Sequence, residues 1–424
     1  MPPSPWLAFS AAAASILAYF IAVSLFVPDG MGDEQLHLGI IRQFAAGDYG
    51  MADTLPMLPA YHGLMALPAR VLGTSIFAMR LVNVAVAIGM LWLMIPVVRR
   101  FQPEHPGAAL LLFAWSPLLF PMLAVNYTDT VSTAFILLAL RYHVERRHVP
   151  SGIALGAATL IRQSNLVWAA FFALWAALDV HRAPTPTPHS PDSGSRASVS
   201  RETRWREIAR RTWPHAALIA GITVLFVVGG GLTFGAATLN GPRFNPAQLH
   251  LFAIHMLLWT APLWIPRFLM DWRKTWRAAL VRPSVSASAI GAIGLVALSF
   301  DNPHAWNRNM WDLRNAPLLA LQNYPVLRVV EAVLVVVWAS TTVRFTLAHP
   351  RRSELALVWL FSVLFLLPQF LAEPRYYIVP LLLLNVLAVG SAREHRRLVM
   401  WCGAASAAVA ITACAIGTFR DGVW

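Results

Sequence analysis

Residues 76–98 read IFAMRLVNVAVAIGMLWLMIPVV and run directly into Arg99-Arg100. As a helix rising 1.5 Å per residue, this stretch spans about 34 Å, enough to cross a hydrocarbon core of about 30 Å. Its polar residues, Arg80 and Asn83, both lie toward one end, and the basic pair closes the other. Outward from this segment, apolar runs of the same kind recur along the whole chain. Their approximate limits are 7–27, 76–98, 108–125, 127–142, 151–161, 164–180, 214–236, 249–266, 286–300, 324–346, 355–371, 375–391 and 398–418. The fifth is too short to cross alone and reads as re-entrant or continuous with its neighbour. The first lacks the basic start of a signal peptide and reads as a retained helix. The expected fold is all-α: a polytopic membrane protein with about thirteen spans. Of the 424 residues, 57% are hydrophobic and 12% charged, against about 25% charged in soluble domains. A soluble enzyme, a disordered chain and a disulfide-stapled secreted domain are thereby excluded.

The formal net charge of +13 would suit nucleic acid if it formed one patch, so its placement matters. With a cytoplasmic N-terminus, 23 of the 33 basic residues fall in loops on that same side. The positive-inside rule accounts for this asymmetry, and nucleic acid is not an expected partner. All basic residues except Lys274 are Arg. With abundant Ala and Pro, this bias points to a GC-rich bacterial genome and so to a bacterial inner membrane. Residues 181–213, rich in Pro, Ser and Arg, read as a disordered cytoplasmic linker. They divide an N-terminal transmembrane half, 1–180, from a C-terminal half, 214–424. No sequence repeat relates the halves, which weakens the competing reading as a transporter or lipid flippase.

The loops on the opposite, extracytoplasmic side carry the unusual residues. Pro28-Asp29-Gly30 is a turn signal. After it, Asp33 and Glu34 suit a helix N-terminus, and Leu36, Ile40, Ile41 and Phe44 recur at helical spacing until Gly47. This predicts an amphipathic helix at the outer membrane surface, with Asp33, Glu34 and His37 on one face. Two acids and an imidazole at the mouth of a membrane cavity suit a general base. Asn126 and Asp129 end one run. Arg162 and Asn165 interrupt apolar sequence, where an isolated Arg is costly unless it meets an anion or a polar cavity. Asn307 and Arg308 lie in an amide- and indole-rich loop, and Arg375 with Tyr376 opens the twelfth run. There is no Gly-rich phosphate loop, His-Glu-x-x-His or Cys-x-x-Cys, which argues against nucleotide hydrolysis and zinc chemistry.

At these residues the chain resembles a family, the α-1,2-glucosyltransferases that use dolichyl-phosphate glucose to complete a lipid-linked oligosaccharide. Asp33-Glu34-x-x-His37 is similar to that family's first-loop motif, and Arg80-Leu81-Val82-Asn83 to its Leu-Arg-x-x-Asn. Tyr127-Thr128-Asp129 and Arg162-Gln163-Ser164-Asn165 are similar to its Tyr-Thr-Asp and Arg-Gln-Thr-Asn. Asn240-Gly241 with His250, Asn307-Arg308, and Glu373-Pro374-Arg375-Tyr376 follow in the family's order. Trp306 and Asn309 depart from the family's Asp and His beside Asn-Arg.

The resemblance implies a GT-C glycosyltransferase fold with an extracytoplasmic active site. It implies transfer of a hexose, glucose by analogy, from a polyprenyl-phosphate donor to a lipid-linked or glycan acceptor, with inversion. Asp33 is then the preferred general base, with Glu34 the alternative and His37 beside them. Arg375, Arg308 and Arg162 are the expected phosphate clamps. Asn126, Asp129, Asn165, His250, Asn307 and Tyr376 are the expected partners of sugar and acceptor hydroxyls. No cofactor is expected. GT-C relatives differ in metal dependence, and the lack of an acidic cluster beyond Asp33-Glu34 favours none here.

Overall fold

The structure, a computed structural model, describes residues 3–50, 57–182, 201–228, 244–272, 282–309, 313–369, 371–389 and 391–419. Among them the secondary structure is helical throughout. In chain order the α-helices are α1 (Pro5–Phe26), α2 (Glu34–Ala45), α3 (Ala60–Leu72), α4 (Ile76–Phe101), α5 (Pro106–Ala114), α6 (Thr128–Val144), α7 (His148–Ile161), α8 (Leu166–Arg182) and α9 (Arg201–Val228). They continue with α10 (Pro246–Trp259), α11 (Ala261–Asp271), α12 (Pro283–Leu298), α13 (Ala316–Asn323), α14 (Pro325–Ala348), α15 (Arg352–Leu366), α16 (Ile378–Ala388) and α17 (Ala392–Phe419). Six helical segments among the described residues are long and apolar enough to cross a membrane, seven if the pair α10–α11, bent by 79°, counts as one span. Where thirteen spans are expected from apolar runs, several runs form shorter or broken helices instead.

The run 108–125 shows why. It ends as α5 at Ala114, and a 3-10 turn over Phe120–Ala124 follows before α6 begins. The carbonyls freed by this break cannot face lipid unpaired. The Asn83 amide lies 3.0, 3.1 and 2.7 Å from the carbonyl oxygens of Met122, Leu123 and Val125. The Thr130 hydroxyl donates to Met122 at 2.7 Å. One polar side chain in the α4 run thus satisfies a break in the next.

Two expectations about segment limits also change. Residues 201–213, assigned to the linker by composition, form the first turns of α9; the linker's 183–200 lie outside the described residues. Helix α9 packs on α7 and α8, and so on the N-terminal half. Gly152 permits this: a Cβ there would stand 3.0 Å from the Pro214 side chain. The halves join through aromatic rings, Trp168 of α8 on Phe365 of α15 at 5.6 Å and Phe171 on Phe361 at 5.8 Å.

The amphipathic helix forms as α2, and Gly47 (φ 92°) follows its end in the left-handed conformation that suits glycine. Much of its apolar face is covered by α3. Leu38 and Ile41 pack on Tyr61 and Met65 of α3, and it is α3 that leaves Leu64, Leu67, Val71 and Leu72 exposed.

Candidate active site

Helices α4 and α6 begin at one end of the bundle and run to Arg-bearing far ends, Arg99-Arg100 and Arg141. The polar residues singled out by sequence collect at the opposite end. The turn leading into α2 passes through Gly30 (φ 96°) and Gly32 (φ 48°). A side chain at Gly30 would stand 2.8 Å from Ile76. This turn brings Asp33 and Glu34 into very different surroundings.

Glu34 is fully buried. Arg80 donates to both its oxygens, Nε to Oε1 at 3.0 Å and Nη2 to Oε2 at 2.6 Å. The backbone amides of Met31 and Asn126 donate to the same carboxylate at 2.8 and 2.7 Å. Arg80 also donates to the carbonyls of Val23 and Val27. Each Glu34 oxygen therefore holds two donors, leaving little capacity to accept a substrate proton. Asp33 has the opposite character. Its side chain is half exposed and accepts no hydrogen bond among the described residues; its nearest cation is Arg375, Nη2 to Oδ2 at 3.8 Å. Partial burial raises the Asp33 pKa above its ordinary value, against the pull of Arg375.

Around Arg375 lies an alternating ring of charge. Arg375 and Arg314 both donate to Glu373, Arg162 donates to Asp129, and Arg375 stands 3.9 Å from the free oxygen of Asp129. The Arg162 guanidinium lies over the Tyr376 ring at 5.2 Å, and that of Arg375 over Tyr127 at 5.5 Å. Asp129, Arg162, Asn165, Arg375 and Tyr376 line a cleft. Ser132 and Thr133 add hydroxyls, and Phe365, Ile378 and Val379 form an apolar wall. Asn165 donates to Ser132 at 2.6 Å.

Other candidates lie elsewhere. His37 turns inward, its Nδ1 3.1 Å from Nε2 of His62. Burial, with His62, Arg375 and Arg162 contributing, pushes it down to about 3, so it is neutral. The Asn126 amide oxygen accepts from Tyr61 at 2.8 Å. His250 is held between Glu331 and Ser299, at 3.0 and 3.2 Å. Asn307 is buried and accepts from the Ala372 amide at 3.0 Å, tying its loop to the segment before Glu373. Arg308 is exposed and donates to the carbonyl of Pro303 at 2.7 Å. Asn240 and Gly241 lie outside the described residues. Arg314, which sequence reasoning missed, takes the place in the ring that was expected of Arg308. Both belong to one loop, and charge alone could not choose between them.

Fold and site together define a multi-pass helical membrane protein with an arginine-lined cleft where its two halves meet. The chain belongs to the DIE2/ALG10 family, whose model matches residues 27–386. Over 274 residues it is 23% identical to the Dol-P-Glc:Glc(2)Man(9)GlcNAc(2)-PP-Dol alpha-1,2-glucosyltransferase of Rattus norvegicus and 22% identical to that of Mus musculus. Each match covers 55% of this chain and 57% of the relative, so only somewhat over half of either relative's length is spanned. Among solved structures, ArnT from Cupriavidus metallidurans bound to undecaprenyl phosphate is similar at a TM-score of 0.38 and 14% identity, covering 92% of this chain and 77% of that one. Its apo form gives 0.32 over 92% and 78%.

Proposed function

We propose that this chain is an inverting glycosyltransferase of the GT-C type that moves glucose from a polyprenyl-phosphate donor to a lipid-linked or glycan acceptor on the extracytoplasmic face. The observation that carries the reading is the uncommitted Asp33 carboxylate beside a ring of three arginines. Asp129, Glu373 and Asp33 face these arginines, so as Asp33 takes up a proton a guanidinium charge is uncovered for the departing phosphate. Arg375, Arg314 and Arg162 hold the phosphate by charge-assisted hydrogen bonds. The apolar wall of Phe365, Ile378 and Val379 accommodates the start of the prenyl chain, and the cleft hydroxyls and amides face the sugar.

The chemical step is one in-line displacement. Asp33 takes the proton of the acceptor hydroxyl, and that oxygen forms the new bond to the anomeric carbon. The bond from that carbon to the phosphate oxygen breaks, and the electron pair leaves with the lipid phosphate. As Asp33 loses its negative charge, the phosphate gains one, so the total charge of the site is conserved through the step. Positioning and fixed charge supply the acceleration, and phosphate needs no strong acid to leave. Glu34 and Arg80 hold the loop that presents the base.

Radiolabelled glucose supplied as dolichyl- or undecaprenyl-phosphate glucose should move to a lipid or glycan acceptor in membranes containing the protein, and not in membranes lacking it. No transfer from either donor would end this reading. Because the base acts deprotonated and burial raises its pKa, turnover should fall as pH drops through a value above that of an ordinary aspartate. A pH profile flat down to pH 4 would remove Asp33 from the role. Arg314→Ala should weaken undecaprenyl phosphate binding about tenfold or more, the worth of a hydrogen bond between charged groups. Arg308→Ala should change it by less than about twofold, as expected for an exposed charge; direct binding titrations compare the two.

A further inference from the structure

Tyr127 touches both halves of the proposed machinery. Its hydroxyl accepts from the backbone amide of Asp33 at 2.8 Å and donates to the carbonyl of Met31 at 3.1 Å. These two groups flank Gly32, whose positive φ marks a turn with no side chain of its own to stiffen it. The other face of the residue does a different job: its ring lies beneath the Arg375 guanidinium at 5.5 Å, and the His37 ring packs edge-on against it at 5.8 Å. Tyr127 is itself buried and stands at the N-terminus of α6, two residues before Asp129.

We infer that Tyr127 is a positioning residue that sets the distance between the base and the phosphate clamp, its hydroxyl fixing Asp33 and its ring fixing Arg375. The inference rests on the reading of Asp33 as base and Arg375 as clamp. The Asp33 side chain accepts no hydrogen bond among the described residues, so the main-chain clamp across Gly32 is what holds its carboxylate at the rim of the cleft. The arginine, by contrast, is also gripped by Glu373. Loss of the hydroxyl should therefore disturb the base more than the clamp, and loss of the ring should disturb both.

The test uses the full-length protein in detergent or nanodiscs, with undecaprenyl phosphate as the binding probe and polyprenyl-phosphate glucose as donor. Tyr127→Phe should lower kcat by about tenfold or more, the scale of losses from misplaced catalytic groups, while the Kd for undecaprenyl phosphate stays within about twofold. Tyr127→Leu should lower kcat similarly and also raise that Kd. In an Asp33→Asn background, Tyr127→Phe should cause no further loss of residual turnover, because its effect runs through Asp33. Normal kcat in Tyr127→Phe, with Asp33→Asn inactive, would overturn the positioning role and leave the base assignment standing. An equal fall in kcat and in binding, accompanied by a lowered Tm, would make Tyr127 a structural residue only. Full activity of Asp33→Asn would overturn the underlying reading instead.

Discussion

Asp33→Asn is expected to abolish glucose transfer, by 10²–10⁴-fold or about the full contribution of a positioned general base, while the protein remains folded and inserted. Asparagine keeps the size of the side chain. The Asp33 backbone amide stays bonded to Tyr127, and no structural hydrogen bond of the side chain is lost, because the carboxylate accepts none among the described residues. Binding of undecaprenyl phosphate should persist and could tighten, since removing one carboxylate leaves Arg375 more positive. Transfer assays and binding titrations on the same purified variant separate these effects. Wild-type turnover in Asp33→Asn would end the first-loop mechanism.

Arg80→Leu is expected to cost about 3–5 kcal/mol of stability, the range found when one member of a buried pair is removed and the other is left charged. Both side chains are wholly enclosed. Arg80 is the cation of Glu34 and the donor to two carbonyls at the end of α1, Val23 and Val27. Without it, Glu34 would be an uncompensated charge, and the turn at residues 27–33 would lose its anchor to α4. Thermal unfolding in detergent should show a large drop in Tm and a fall in yield. Glu34→Gln should also destabilise, by leaving the Arg80 charge unpaired. An unchanged Tm in Arg80→Leu would show that the pair is not what holds the loop.

The two predictions separate adjacent acids that look interchangeable along the chain. Asp33 and Glu34 are neighbours, both at a helix N-terminus, and spacing assigns them to one region without ranking their surroundings. Arg80, forty-six residues away, makes the difference by claiming Glu34 and leaving Asp33 free. His37 is a similar case. Its i,i+4 relation to Asp33 is present along the helix, yet its ring faces His62 of α3, a helix that periodicity did not announce. Arg314 and Arg308 complete the pattern. Their loop is anchored by Asn307 on the Ala372 amide, and that anchorage, invisible in composition, directs Arg314 rather than Arg308 to Glu373.

Much was legible from the chain alone. Apolar runs longer than a bilayer is thick demanded a helical membrane protein, because hydrocarbon tolerates no unpaired backbone. The placement of arginine set an expectation of sidedness. The polar motifs, in order, pointed to one end of the bundle and to the family. The exact spans were less legible, because an apolar run does not show where a helix breaks when a distant side chain such as Asn83 can satisfy the break. Burial, ion pairing and hydrogen-bond saturation needed the folded chain, since they depend on partners tens to hundreds of residues apart. Composition and order therefore established the membrane, the family and the set of polar residues, whereas three-dimensional packing divided that set into groups locked by buried partners, as Glu34 is by Arg80, and groups such as the Asp33 carboxylate that accept no hydrogen bond among the described residues.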